Sequence, residues 1–561
     1  MQTSSLRLAL AASVLLFATE QLWAQTPVIT SVTPGRNTRA ATRNTNVAAT
    51  LSQAFPAGAT LNVFGSQAGG KKTGTTAVSG NTVTFDPSAD FKPGELVTAV
   101  LNTTSTPNLA HVWQFTAAAT GGAGTFGPTI ITNNAGIGNS EVGDIDGDGD
   151  LDVLSAGTQV VNIYRNTGTG QFPSNSPSLL SISNLVSMKL GDVDGDGDLD
   201  ILATNVNIST IRYRVTLYRN NGTGTFTADT STDVASTVSY VSPVTLGDID
   251  GDGDLDLLYS LSGGSLQVVA HLNNGTGTFG TPLVQTTAST ARIAQLMPGD
   301  VDNDGDLDII SISLDTSGQV GIYLNNGTGA LTASANYPAS NYRGGMAVGD
   351  IDGDGDLDVA VPTFEPNSVV NLLLNNGNGT FVAGPAIPAG SAGTTVALGD
   401  VNGDGNLDLA VSGVQVSVLL NRGGTTFTAN PTVTLGSAQV TSLQLVDMDG
   451  DGDLDIAGSG GGFLYVAPNQ NTVTSNKPSA ETAFQVWPNP VGVSTNLHIS
   501  LPSGVSAAEA KLHTLLGQPV RKHTFSGSTT ELATEGLASG VYLLTVQPVG
   551  QAPTTRRIVL E

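Results

Sequence analysis

At 561 residues the chain is too long for one compact core. Charged residues make up only 12% of it, Gly numbers 69, and the segments between turns favour Val, Leu, Ile and Thr, so an all-β protein is expected rather than a helical one. The formal net charge of −26 is concentrated: 33 of the 47 acids fall in seven short loops, leaving 14 acids against 21 Lys and Arg. The acidity therefore belongs to local sites, and with no basic stripe interleaved with aromatics, nucleic acid is excluded as a partner.

In chain order, the N-terminus carries Arg7, an apolar run from Leu8 to Ala18, and Leu22-Trp23-Ala24, a small residue before a cut. This predicts a secretory signal over residues 1–24. No later apolar run reaches membrane-spanning length, so no transmembrane segment is expected in the mature chain. The chain has no cysteine, so an exported protein of this size must be held by packing and metal. Residues 26–118 show alternating strands such as Leu61-Asn62-Val63-Phe64 and Thr82-Val83-Thr84-Phe85, which predict a small β-sandwich.

Residues 119–470 are dominated by a repeat. The phrase Gly-Asp-Ile-Asp-Gly-Asp-Gly-Asp-Leu-Asp, or a near copy, begins its first Asp at 144, 192, 248, 300, 350, 400 and 447, in steps of 48, 56, 52, 50, 50 and 47 residues. After most copies come a strand-like run and a turn ending in Thr-Phe: Asn220 to Phe226, Asn273 to Phe279, Asn375 to Phe381 and Asn421 to Phe427; in Asn325 to Leu331 the Phe is lost. A period near fifty with about four short strands fits a propeller blade, so seven blades are expected. Gly122-Ala123-Gly124-Thr125-Phe126 precedes the first Asp loop, whereas the seventh copy ends at Phe463 to Val466 without such a turn, so the N-terminal strand is expected to complete the last blade. Residues 471–483 read as a linker rich in Asn, Thr, Ser and Pro, and 484–561 as a second small sandwich.

The loops carry the chemistry. In the first, Asp144, Asp146, Asp148, Asp150 and Asp152 recur every second residue, with Gly147 and Gly149 between them. The others bring Asp192, Asp194, Asp196, Asp198 and Asp200; Asp248, Asp250, Asp252, Asp254 and Asp256; Asp300, Asp302, Asp304, Asp306 and Asp308; Asp350, Asp352, Asp354, Asp356 and Asp358; Asp400, Asn402, Asp404, Asn406 and Asp408; and Asp447, Asp449, Asp451, Asp453 and Asp455. Carboxylates about 5 Å apart repel by roughly 3 kcal/mol a pair at an effective dielectric of about 20, so five in nine residues call for a cation. Oxygen ligands in irregular array suit Ca²⁺ better than Mg²⁺, and the loops offer soft metals no His or Cys. Up to seven calcium sites are expected. The helix-loop-helix calcium hand shares the first ligand positions but needs Glu at position twelve, where this chain has Ser155, Ala203, Tyr259, Ser311, Val361, Val411 and Gly458. That reading is rejected, and Asp at position nine must close the site.

These repeats resemble the FG-GAP or VCBS family, whose calcium loops line the propellers of integrin α subunits. The resemblance implies ligation by the side chains at positions one, three, five and nine and by the carbonyl at seven. On that pattern the sixth loop, with Asn402 and Asn406, loses one charge among its side-chain ligands and is expected to be the weakest, and Val446 replaces the glycine that precedes the other loops. Val486-Trp487-Pro488-Asn489-Pro490, Leu516-Gly517-Gln518-Pro519-Val520, Leu537-Ala538-Ser539-Gly540-Val541-Tyr542 and Thr555-Arg556-Arg557-Ile558-Val559 resemble the C-terminal sorting domain of the Bacteroidetes type IX secretion system. This implies the type IX machinery as a partner and a secreted or outer-surface location. The first sandwich, with Pro27-Val28-Ile29 and Val112-Trp113-Gln114-Phe115, is similar to bacterial Ig-like domains.

Little in the repeats suggests catalysis. His271 is their only histidine and sits in a strand, Glu141 and Glu365 are their only Glu, and Asp229, Asp233 and Asp315 are isolated. Asn-Gly-Thr at 221, 274, 326 and 378 matches a glycosylation sequon but falls in the repeated turn. The expected function is a non-catalytic binding or adhesion module for an extracellular protein or glycan, with calcium structural. The alternatives are an extracellular carbohydrate-active enzyme and a structural envelope component.

Overall fold

The computed structural model describes residues 27–470 and 485–560 except for short segments within each, and the signal and linker expectations lie outside the described residues. The described residues form strands and turns without a helix, and no helix is long and apolar enough to cross a membrane. The chain divides into two units, 1–472 and 473–561.

The first unit opens with seven strands: β1 (Ile29–Thr33), β2 (Val47–Leu51), β3 (Thr60–Gly65), β4 (Gly74–Ser79), β5 (Thr82–Pro87), β6 (Leu96–Asn102) and β7 (Ala110–Thr116). They make two sheets, β1-β2-β5-β4 and β3-β6-β7. Period-two alternation places Val47, Ala49 and Leu51 of one sheet against Leu61, Val63, Val97, Ala99, Trp113 and Phe115 of the other.

Among the described residues seven further antiparallel sheets follow, the first built from Ser140–Gly143, Asp152–Ala156, Val160–Tyr164 and Ser178–Ser181 in sequence order. The second strands, such as Asp256–Ser262 and Asp308–Ser313, are buried on both faces, as expected for sheets packed face to face around a ring. The first strands meet around the centre: Ser187, in the second sheet's first strand, is buried, Lys189 reaches Glu141 at 2.8 Å, and Gln295 Oε1 accepts from the Met346 amide at 2.8 Å. Where the last sheet meets the first, Ser140 Oγ and Ser442 Oγ lie 3.0 Å apart, so the ring is closed.

The seam is made by β8 (Ile130–Asn133), which pairs with Phe463–Ala467 and completes the seventh sheet. The split falls inside the repeated turn. Asn469 supplies its first residue and Gly122 to Phe126 supply the rest, with Phe126 bridging Asn469 as Phe279 bridges Asn273. This is the closure the lone Gly-Thr-Phe turn predicts.

The second unit has a three-stranded sheet of Gln485–Trp487, Leu497–Ser500 and Thr529–Leu532. A four-stranded sheet follows the order Pro519–Ser526, Ala507–Thr514, Gly540–Pro548, Thr554–Leu560. Leu497, Ile499, Leu512, Leu544, Val546 and Ile558 fill the space between them.

Candidate metal loops of the repeats

All seven Asp loops join the first strand of a blade to its second and therefore lie on one face of the ring. Position nine opens the second strand and is fully buried in every blade: Asp152, Asp200, Asp256, Asp308, Asp358, Asp408 and Asp455. One of its oxygens accepts the amide of position two, from 2.8 Å at Met448 to 3.3 Å at Ile145. The other accepts, at 2.7–2.9 Å, the amide of an asparagine that ends the third strand: Asn166, Asn220, Asn273, Asn325, Asn375, Asn421 or Asn469.

That asparagine also donates Nδ2 to the carbonyl at position two of the preceding blade. The acceptors are Met448, Ile145, Val193, Ile249, Val301, Ile351 and Val401, at 2.6–2.9 Å. Every junction in the ring is stapled in the same way, and the buried amide leaves no backbone carbonyl orphaned there. The sequence marked five of these asparagines only as turn openings and passed over Asn166 and Asn469. The available signal was an Asn at the end of the third strand, or one or two residues beyond it, in every repeat.

The carboxyl side chains converge. One oxygen each from Asp144, Asp146 and Asp152 lie within 4.8 Å of one another, as do those of Asp192, Asp194 and Asp200; Asp248, Asp250 and Asp256; and Asp350, Asp352 and Asp358. In the fourth loop the trio is Asp300, Asp302 and Asp304. Positions one, three and nine therefore meet in at least four loops, whereas the position-five side chain joins the cluster of the fourth. In all seven loops position five instead accepts the amide of position seven, at 2.9–3.1 Å. The position-seven side chains Asp150, Asp198, Asp254, Asp306 and Asp356 lie over Gly168, Gly222, Gly275, Gly327 and Gly377 of their own blade's turn, where a Cβ would come within 2.5–2.8 Å of a carboxylate oxygen. Asp453 differs, with both oxygens buried and without a hydrogen-bond partner.

Burial dominates the electrostatics. It pushes the position-nine carboxyls up to about 7 at Asp152, Asp200, Asp358 and Asp408 and to about 8 at Asp256, Asp308 and Asp455. Neighbouring carboxylates add to the rise. Position-nine carboxyls of this kind stay ionised near neutral pH only beside a cation, and at positions one and three single oxygens, Asp146 Oδ1, Asp300 Oδ1 and Asp447 Oδ1, are buried with no hydrogen-bond partner. The donor set is all oxygen, with left-handed glycines at positions four and six, such as Gly147 and Gly149, turning the chain around it. It fits a hard divalent ion.

The loops are not equal. Arg165 reaches Asp146 at 3.0 Å, Arg219 pairs with Asp194, Arg36 lies 4.0 Å from Asp300, and Arg39 lies 3.7 Å from Asp350. Arg219 also binds Asp229 at 2.5 Å, so Asp229 is not isolated as the sequence suggests. In the sixth loop Asn402 Oδ1 accepts the Asp404 amide at 3.0 Å and its Nδ2 is buried without a partner. Val446 leaves the seventh loop's hydrogen bonds intact and packs in one core with Leu151 of the first blade. At the equivalent step Gly143 makes room for Leu199.

His271 is packed, its Nε2 3.0 Å from Tyr259 Oη and its Nδ1 2.8 Å from the Gly280 carbonyl. The Asp233 side chain, Asp315 and Glu365 lie outside the described residues.

The first sandwich sits on this face. Asp144 N–H donates to the Gln67 carbonyl at 3.0 Å, Lys71 N–H to Asp192 Oδ2 at 3.2 Å, Asn102 Nδ2 to the Gly251 carbonyl at 2.9 Å, Val112 N–H to the Gly305 carbonyl at 2.6 Å, and Asn37 Nδ2 to the Gly355 carbonyl at 2.9 Å. Thr120, in the connecting segment, donates to Gly452 at 2.8 Å, and Gly121 approaches Asn402 and Gly403. Burial and the Arg36 guanidinium hold His111 down at about 3, so its neutral Nε2 accepts from Arg36 at 2.8 Å.

Comparison with known families gives three matches. The FG-GAP-like repeat model matches residues 144–203, 206–259, 248–311, 300–361 and 363–411. The secretion system C-terminal sorting domain matches 485–561 and the bacterial Ig-like domain 24–117. The tail assigns the protein to type IX secretion, at the cell surface or outside the cell. No curated protein matches the chain. Among solved structures it is similar to PorZ, a surface component of the type IX secretion system of Porphyromonas gingivalis, with 13% identity over 85% of this chain and 72% of that one at a TM-score of 0.31. It is also similar to the extracellular domain of BT3049 from B. thetaiotaomicron, with 12% identity over 82% and 60% at 0.33. A triple arginine-to-alanine mutant of AofleA from Arthrobotrys oligospora shares 11% identity over 55% and 90%, also at 0.33.

Proposed function

We propose that this protein, whose chain carries FG-GAP-like repeats between a bacterial Ig-like domain and a secretion-system sorting domain, is a calcium-held binding or adhesion module of the cell exterior. The observation that carries the calcium reading is the convergence of position-one, -three and -nine carboxylates, with Asp146 Oδ1, Asp300 Oδ1 and Asp447 Oδ1 buried and without a hydrogen bond. Those three side chains, with the carbonyl of position seven, would hold the ion; position five is the remaining candidate where its side chain turns inward, as Asp304 does. A bound ion supplies positive charge to a cluster that burial otherwise drives towards protonation. It has no open chemistry to perform there, because the buried position-nine carboxylate also anchors two backbone amides.

The ligand is an extracellular protein or glycan, bound away from the Asp-loop face, which the Ig-like domain covers. A non-catalytic role is supported at the centre of the ring, where the carboxylate of Glu141 is taken up by Lys189. Calcium titration by calorimetry tests the loops, and a glycan and envelope-protein array with calcium or chelator tests the ligand. Calcium-dependent retention without turnover is expected. Turnover of a retained glycan would overturn the non-catalytic reading in favour of a carbohydrate-active enzyme, and heat-silent addition of calcium to chelator-stripped protein would overturn the metal reading.

A further inference from the structure

We infer that the Ig-like domain is a cap seated on the ion-held shape of the Asp loops, so that removing the cations releases it from the propeller. The inference rests on the calcium reading above and goes beyond it. Its basis is where the contacts fall. The first sandwich and its connecting segment reach all seven loops, and the acceptors repeat: Gly149, Gly305, Gly355 and Gly452 each present the position-six carbonyl, the first to Lys92 Nζ and the others to Val112, Asn37 and Thr120. These glycines share φ values of 94–100°, a left-handed conformation that other residues adopt only with strain, so the carbonyls point outward by a common backbone turn.

The position-six carbonyl is one peptide away from the position-seven carbonyl, which on the calcium reading is a ligand. Whatever holds the inner peptide therefore sets the direction of the outer one. On the sandwich side the contacting segments are themselves fixed. Glu95, fully buried, accepts from Lys72 Nζ at 2.9 Å and from the amides of Gln67 and Lys92 at 3.2 and 2.9 Å, holding together the two stretches that meet the first and second loops. A rigid cap on an adjustable seat is released when the seat changes shape. Phe64, Val100 and Val112 join Ile249 and Leu307 in one apolar core, and the hydrogen bonds to the loops add direction to that contact.

Hydrogen exchange on the secreted chain in millimolar calcium and in excess chelator tests this, with bound calcium measured on the same samples by equilibrium dialysis. The amides of Lys71, Val112 and Thr120 point across the interface. In chelator their exchange is expected to rise at least tenfold, while amides within the β6–β7 ladder of the sandwich keep their protection. Unchanged interface amides after proven loss of bound calcium would overturn the coupling and leave the metal reading standing. Dialysis showing no calcium bound at any stage would overturn the metal reading itself, and the coupling with it. Equal loss of protection in the β6–β7 ladder would mean that the sandwich unfolds rather than undocks, which also overturns the proposal.

Discussion

The asparagine at the end of each third strand does more than open a turn. Asn273 is buried: its amide donates to Asp256, and its Nδ2 to Leu255 of its own loop and Val193 of the blade before. Asn273→Ala leaves both carbonyls buried and unpaired, which should cost about 1–3 kcal/mol in urea unfolding. Asn274→Ala, one residue on in the half-exposed turn, should stay within about 0.5 kcal/mol, and equal effects would refute the staple. Charge is the other residue-scale variable. Asn402→Asp restores a carboxylate where the buried Nδ2 now has no partner, so the sixth site should bind calcium about tenfold more tightly, or about 1.4 kcal/mol, by titration. An unchanged sixth-site affinity would mean that position three does not ligate there.

At the scale of the element, each blade is a local object whose order is written in its own fifty residues, and this is why the all-β propeller between two sandwiches was legible. Alternating Asp and Gly fix the loop, Asp at position nine starts a strand, and a buried second strand such as Asp308–Ser313 reads as a continuous apolar run. The seam was legible for the same reason: a turn missing from the seventh repeat appears ahead of the first. What could not be read was contact between remote surfaces. Nothing periodic marks Asn37, Asn102 or Val112 as partners of Gly355, Gly251 and Gly305, and the second hydrogen bond of each staple crosses to another blade. The closing strand offers a direct test. Replacing Ile130-Ile131-Thr132 by Gly-Ser-Gly removes β propensity and the half-buried Ile130 from the seam, which should cost about 2–4 kcal/mol. Exchange should then quicken at Phe463–Ala467 while Val369–Asn375, two blades away, holds. Equal change in both strands would show that the seam is not where the ring opens.

The whole molecule adds closure to these local terms. Seven junctions each carry one staple and one loop, and no blade can leave without breaking two junctions, so small contributions act on a single cooperative ring. At the affinities usual for extracellular calcium modules, about 10⁻⁴ to 10⁻³ M, millimolar calcium stabilises each site by about 0.4 to 1.4 kcal/mol. Over seven loops that is roughly 3 to 10 kcal/mol, comparable to the entire stability of an ordinary domain. The loops with their own guanidinium, at Asp146, Asp194, Asp300 and Asp350, should lie at the lower end, since part of the neutralisation is already built in. Excess chelator should therefore lower the melting temperature of the secreted chain by the order of 5–15 °C and open the Asp loops to protease. Magnesium at the same concentration should restore less than calcium does, because irregular carboxylate loops suit its strict octahedron poorly. A melt that is the same in chelator and in millimolar calcium would remove the ions from the stability of the ring, leaving the asparagine staples and the apolar cores between blades as what holds it closed.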